Sequence, residues 1–194
     1  MINFYLVRHG EQKKEVEASL TEIGIQQAQL TASYFSDKQI DLLISSPLQR
    51  TKQTSEIIAK KLDINIIFDA RLKERLNWGD VKNQSFDDFL VEWVKTLEDR
   101  NYKPLGGDSS FETGTRMNNL LDDLVKQKHT YVLLVTSGGA IKDLVRNLFS
   151  DEYLEGIKTN FIKDDLFYCS ITHVIFNEGK YIVKEIGSTE HLCI

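Results

Sequence analysis

With 194 residues and 41% hydrophobic content, the chain has the length of one domain, residues 1–194, and enough apolar material for a core of ordinary size. Its 24 Lys and Arg against 29 Asp and Glu give a net charge of -5, which excludes a generally basic face for nucleic acid or anionic lipid. Cys169 and Cys193 are too far apart for a disulfide framework or metal pair, no apolar run approaches the ~20 residues of a membrane helix, and the start lacks a signal-peptide pattern. The expectation is a cytoplasmic protein with structural thiols, no membrane or nucleic-acid partner and a local cluster for any anionic ligand.

Ile2 to Val7 is a short apolar run that stops at a charged, glycine-containing turn, which reads as a buried strand with His9 just past its end. Leu20-Thr21 looks like the entry to a helix bearing Ala28, Thr31, Ala32 and Phe35 at helical spacing. Asp41 to Ser45 is a second strand. Pro47 then starts a helix with Leu48, Thr51, Ser55, Ile58 and Leu62 along one face, and Ile64 to Phe68 gives a third strand. This alternation predicts βαβαβ units around a parallel sheet.

The middle is less regular. Arg71 to Asp80 has no clear period, while Ser85 to Arg100 reads as a helix whose Phe86, Phe89, Leu90, Trp93, Val94 and Leu97 outline an apolar face. That helix could be a flap over a site, although the Phe86, Phe89, Trp93 stripe reads more readily as core than as a substrate cage. Gly106 to Ser109 is a loop, followed by a helix with Met117, Leu120, Leu121, Leu124 and Val125. Tyr131 to Val135 is the clearest strand, and it runs through Thr136-Ser137-Gly138-Gly139 into a helix with Ile141, Leu144, Val145 and Leu148 on one face. Phe167 to Phe176 and Tyr181 to Ile186, joined through Asn177-Glu178-Gly179, predict a closing hairpin.

Open α/β sheets place ligands at the C-terminal ends of their parallel strands, here after Val7, Ser45 and Val135. The first end brings Arg8 and His9, the second starts the helix carrying Arg50, and the third offers backbone N–H groups at Gly138 and Gly139. Two guanidinium forks suit a phosphate, and a neutral imidazole can attack phosphorus to form a phosphohistidine. Glu74 is the carboxyl group best placed to protonate a leaving alkoxide, with Glu112, Asp80 and Asp108 as rivals. Arg71, Lys73 and Arg75 form a basic run, either solvated surface or close to the phosphate, and stay outside the site. His129 suits a helix C-terminus and His173 suits strand packing. No group of His, Cys and carboxylate has metal-ligand spacing.

Leu6-Val7-Arg8-His9-Gly10-Glu11 resembles the signature of the histidine phosphatase, or phosphoglycerate mutase-like, family. It is followed in order by Leu20-Thr21-Glu22-Ile23-Gly24, by Ser45-Ser46-Pro47-Leu48-Gln49-Arg50-Thr51 with Thr54, by Arg71-Leu72-Lys73-Glu74, by Gly106-Gly107-Asp108-Ser109 with Arg116, and by a final His191-Leu192. The resemblance implies a three-layer α/β/α fold with a mostly parallel sheet. It also implies His9 as phosphorylated nucleophile, Arg8 and Arg50 as phosphate ligands, Glu74 as general acid and then base, no cofactor or metal, and a small phosphomonoester as partner. No role follows for His191. Where the family pattern carries a second histidine, this chain has Ser137, which together with Gly138 keeps a place among the substrate-binding residues. Ser137 retains a hydroxyl donor that is shorter and never cationic, so activity is expected to be impaired. Gln12 to Ser19 also departs from the pattern, lacking the Thr and Asn that often follow the signature. The expected function is a phosphomonoester hydrolase; the alternatives are a mutase-type phosphotransferase and a non-catalytic phosphate-ester-binding module.

Overall fold

The computed structural model describes residues 1–193. Its elements are β1 (Ile2–Arg8), α1 (Glu22–Phe35), β2 (Leu42–Ser45), α2 (Gln49–Leu62), β3 (Ile66–Phe68), α3 (Phe86–Glu98), α4 (Ser110–Val125), β4 (Tyr131–Thr136), α5 (Gly138–Leu148), α6 (Asp151–Ile157), β5 (Ile171–Asn177) and β6 (Lys180–Ser188). The strands form one sheet in the order β3-β2-β4-β1-β5-β6. The first four of these pair in parallel, whereas β5 is antiparallel to both β1 and β6.

Alternation along the strands sends side chains to two separate cores. Phe4 and Leu6 of β1 and Val132 and Leu134 of β4 pack with Met117, Leu121, Ile141, Leu144 and Leu154 from α4, α5 and α6. Their neighbours Val7, Leu133 and Val135 pack on the opposite face with Ala32, Phe35 and Ile58 from α1 and α2. The result is the expected α/β/α sandwich. Complete burial of a Leu, Ile, Val or Phe side chain contributes about 1.5–3 kcal/mol, so these two layers fix the positions of the strand ends.

Local signals hold where they carry a physical mechanism. Thr21 caps α1, its hydroxyl accepting the Gly24 N–H at 3.0 Å. Ser109 and Glu112 form a reciprocal capping box at the start of α4. Between β5 and β6, Glu178 and Gly179 have φ of 50° and 79°, the two positive values of a primed hairpin turn.

Four points differ from expectation. β3 begins at Ile66 rather than Ile64, and the short α6 was not anticipated. The hairpin's first strand begins at Ile171 rather than Phe167: the Ser170 N–H returns to Phe167 O at 3.1 Å, and Cys169 has φ 53°, so residues 167–170 form a turn instead of strand. The aromatic stripe of α3 lies outside both cores; Thr96 is the buried residue of that helix. No helix of the described residues is long and apolar enough to cross a membrane.

Candidate active site

In register, Val7 of β1 and Ser45 of β2 both pair with Val135 of β4, so three strands end side by side at one level. The segments that leave them carry the chemistry. His9 leaves β1 with its N–H on Thr136 O at 2.9 Å and its carbonyl accepting the Cys169 N–H at 3.2 Å. Gly10 N–H is held by Thr54 Oγ1 at 3.1 Å, and that hydroxyl donates to Arg50 O at 2.8 Å, which ties the His9 loop to the first turns of α2.

The His9 ring is 4% exposed and bonded at both nitrogens. Nδ1 lies 2.8 Å from Gly10 O, which can only accept, and Arg50 Nε donates to Nε2 at 3.1 Å. These partners assign the proton to Nδ1 and the lone pair to Nε2. Burial, and then the charges of Arg50 and Arg8, hold the His9 pKa well below its usual value, so the ring is neutral at physiological pH.

Arg50 is buried, and its remaining nitrogens reach Asn77 Oδ1 at 2.8 Å and Ser137 Oγ at 3.4 Å. The Arg8 guanidinium lies 4.1 Å over the Tyr168 ring and donates to Leu166 O. Its Nε is buried without a hydrogen-bond partner, and it packs against Gly138, where a Cβ would lie 3.2 Å from Nε. Ser137 is the N-cap residue of α5.

Glu74 sits across the cleft. Its Oε1 accepts the Arg75 N–H at 2.9 Å and its Oε2 accepts the Gly139 N–H at 3.1 Å at the start of α5. This corrects one expectation: the Gly139 N–H serves the carboxylate, an anion at a helix N-terminus, and is not free for a ligand. The Glu74 segment is clamped from α4 by Arg116, which donates to the carbonyls of Arg71, Lys73 and Glu74, and from β4 by Thr136 Oγ1, which donates to Leu72 O at 2.6 Å.

His9, Arg8, Arg50, Glu74 and Gly138 line a single pocket of about 250 Å³, with Ser137 behind Arg50. A larger depression of about 780 Å³ shares Glu74 but does not reach His9. The other carboxylates named as rivals to Glu74 are engaged or turned elsewhere. Glu112 pairs with Lys103 and Asp108 with Arg116, and Asp80 faces other hollows. His191 packs on α1, its Nε2 3.0 Å from Thr31 Oγ1, and His173 stacks on Tyr5.

Four residues of this neighbourhood were not among the candidates. Arg75 is no surface residue: it is 3% exposed, with Nε 3.9 Å from Glu74 Oε1 and 3.0 Å from Asp143 Oδ2. Asp143 also accepts from Ser110 Oγ, and burial pushes its pKa up to about 7. Asn77 holds Arg50, and the Tyr168 ring lies under Arg8 with its centroid 5.7 Å from that of His9. Among the described residues, no group of three or more His, Cys, Asp and Glu is arranged to hold a metal ion.

Comparison with known proteins identifies the family and the fold. The model of the histidine phosphatase superfamily (branch 1) matches residues 4–189. A relative from Yersinia pestis (strain Pestoides F), "Probable phosphoglycerate mutase GpmB", is 32% identical over 211 residues, spanning 99% of this chain and 95% of its own. Phosphoserine phosphatase from Entamoeba histolytica, solved in complex with 3-phosphoglyceric acid, has a TM-score of 0.72 and 26% identity, covering 100% of both chains. A mycobacterial glucosyl-3-phosphoglycerate phosphatase complexed with VO3 shares the fold with a TM-score of 0.79 at 21% identity, over 97% of this chain and 100% of that one. A match across almost the whole length, with the signature histidine and arginines meeting in one pocket, makes this chain a member of the histidine phosphatase superfamily.

Proposed function

We propose that this chain is a phosphomonoester hydrolase working through a phosphohistidine at His9. The observation that carries the reading is a buried, neutral imidazole whose Nε2 lone pair faces a cleft shared with two arginines and a carboxylate. Arg8 and Arg50 bind the phosphate oxygens, and the phosphate displaces the Arg50 Nε–H from Nε2. The Nε2 lone pair forms the N–P bond as the P–O bond to the ester oxygen breaks, and Glu74, as general acid, delivers a proton to that oxygen. Water then attacks phospho-His9 while the Glu74 carboxylate takes its proton. The N–P bond breaks, its electrons return to Nε2, and inorganic phosphate leaves. No metal or cofactor takes part in either step.

Ser137 weakens this machinery. A histidine here could place a charge-assisted donor on the transferring group, and losing one such donor reduces the rate by roughly 10²- to 10³-fold, about 3 kcal/mol. The test is release of phosphate from a panel of phosphomonoesters by the protein and by Ser137→His.

The name of the 32% identical relative favours a second reading, phosphoryl transfer between positions of one substrate. Such an enzyme must keep the detached intermediate enclosed, and α3, the segment available for a lid, buries only Thr96. Phosphate release with and without a bisphosphorylated primer separates the two. Tight binding of phosphate esters with no release would instead favour a non-catalytic binding module. On the hydrolase reading the partner is a small-molecule phosphomonoester, with no nucleic acid and no membrane involved.

A further inference from the structure

We propose that the aromatic wall of the His9 pocket is a leaving-group subsite that takes a flat apolar moiety, so the ester's alcohol is aromatic or bulky and apolar rather than small and carboxylate-bearing. This rests on the hydrolase reading for its chemistry, and on the unburied face of α3 for its substance. Phe86, Phe89, Leu90 and Trp93 follow one another at i, i+3, i+4 and i+7, a stripe that an amphipathic helix ordinarily buries. Here neither core covers it, and Phe86 and Leu90 remain 43% and 40% exposed. Its residues line the same pocket as His9, Arg8, Arg50 and Glu74.

The rings form a continuous surface. Trp78, from the Glu74 segment, meets Phe86 edge-on at 5.0 Å; Phe86 and Phe89 lie 6.0 Å apart at 22°, and Phe89 and Trp93 6.2 Å apart at 30°. The inner end of this wall is fixed beside the acid. Trp93 lies 4.8 Å under the Arg75 guanidinium, which is itself 3.9 Å from Glu74. Since Glu74 protonates the departing oxygen, the wall stands on the side to which the alcohol leaves. Roughly parallel rings at this spacing offer a face to a planar guest, the arrangement aromatic pairs favour.

Charge on the remaining rim selects against a small acidic alcohol. Lys13 and Lys14 line the pocket together with Glu15, Glu17 and Asp165, so the cations there are outnumbered. Arg75 is engaged by Asp143, and the buried Arg50 and half-buried Arg8 serve the phosphate itself. A carboxylate on the leaving group would meet Lys13 and Lys14 only beside this acidic surplus, and on the α3 side it would face apolar rings.

The experiment is calorimetry with two non-hydrolysable probes, methylphosphonate and naphthylmethylphosphonate, on the parent and on Phe89→Ala and Phe86→Ala. Naphthylmethylphosphonate is expected to bind about tenfold tighter than methylphosphonate, and each variant to remove most of that advantage while changing methylphosphonate binding less than about twofold. Unchanged methylphosphonate binding shows that the variants keep the phosphate site folded. Equal affinity of the two probes on the parent, or an advantage that survives in both variants, overturns the subsite. Turnover of naphthyl phosphate is read separately: the binding advantage without turnover sinks the hydrolase reading and leaves the subsite standing, whereas turnover without the advantage does the reverse.

Discussion

Arg50 Nε donates to His9 Nε2 across 3.1 Å, so a cation caps the lone pair proposed to attack phosphorus. The contact works only with the proton on Nδ1, where Gly10 O receives it. Burial and the two arginines hold the ring's pKa below 6.5. Histidine-selective ¹⁵N NMR should therefore find His9 neutral at pH 6 and protonated on Nδ1. The sign for stability follows. As pH falls below 6.5 the unfolded chain takes up a proton that the folded His9 refuses, so the parent should lose more stability on acidification than His9→Ala. Titration of His9 near its ordinary value, or a proton on Nε2, would contradict the assignment.

Asn77 accepts from Arg50 Nη1 at 2.8 Å and orients the guanidinium over the nucleophile. Removing the acceptor in Asn77→Ala should weaken inhibition by inorganic phosphate and lower kcat/KM by about tenfold, the size of one hydrogen bond to a charged group. Parent-like values in both measurements would make Asn77 a bystander.

A Cβ at Gly139 would come within 2.6 Å of Glu74 Oε1 and 2.9 Å of Arg75 Nη2. Gly139→Ala should thus displace the acid and lower kcat about tenfold to a hundredfold on esters with poor leaving groups, and far less on activated aryl esters that leave without a proton. Glu74→Gln should show the same split. Equal losses on both ester types would take the acid role from Glu74.

Asp143 and Arg75 are a buried ion pair at 3.0 Å, with side-chain exposures of 1% and 3%. Deleting one partner leaves the other charge buried and uncompensated, so Asp143→Ala should destabilise by about 3–5 kcal/mol. For a chain of this size that is a fall in Tm of roughly 10 °C, measurable by calorimetry. A change below about 2 °C would mean that water reaches Arg75 and screens it.

The strand ends were legible because apolar runs stop abruptly at Arg8, Ser46 and Thr136, and strand ends are where α/β sheets gather side chains. That made Arg8, His9 and Arg50 readable as neighbours from the sequence. Arg75 was not readable, because its partner Asp143 lies on another element and no local pattern announces an ion pair across 68 residues, 143 minus 75. Tyr168 was hidden inside an apolar run that looked like strand; the turn there uses positive φ at Cys169, with no glycine to signal it. For α3, periodicity revealed an apolar face without saying what covers it, and the face proved to line a pocket instead of joining a core. The same limit applies to Gly139, whose N–H reads as free until Glu74 is seen upon it.

Trapping the covalent intermediate tests the central claim most directly. The protein and Ser137→His would be mixed with an activated aryl phosphate, quenched in alkali, digested and examined by mass spectrometry. The expected result is one phosphate on His9, acid-labile and absent from His9→Ala, with Ser137→His raising kcat by roughly 10²-fold and changing KM less. Turnover that persists near the parent rate in His9→Ala, or an unlabelled His9 in a protein that releases phosphate, would contradict it.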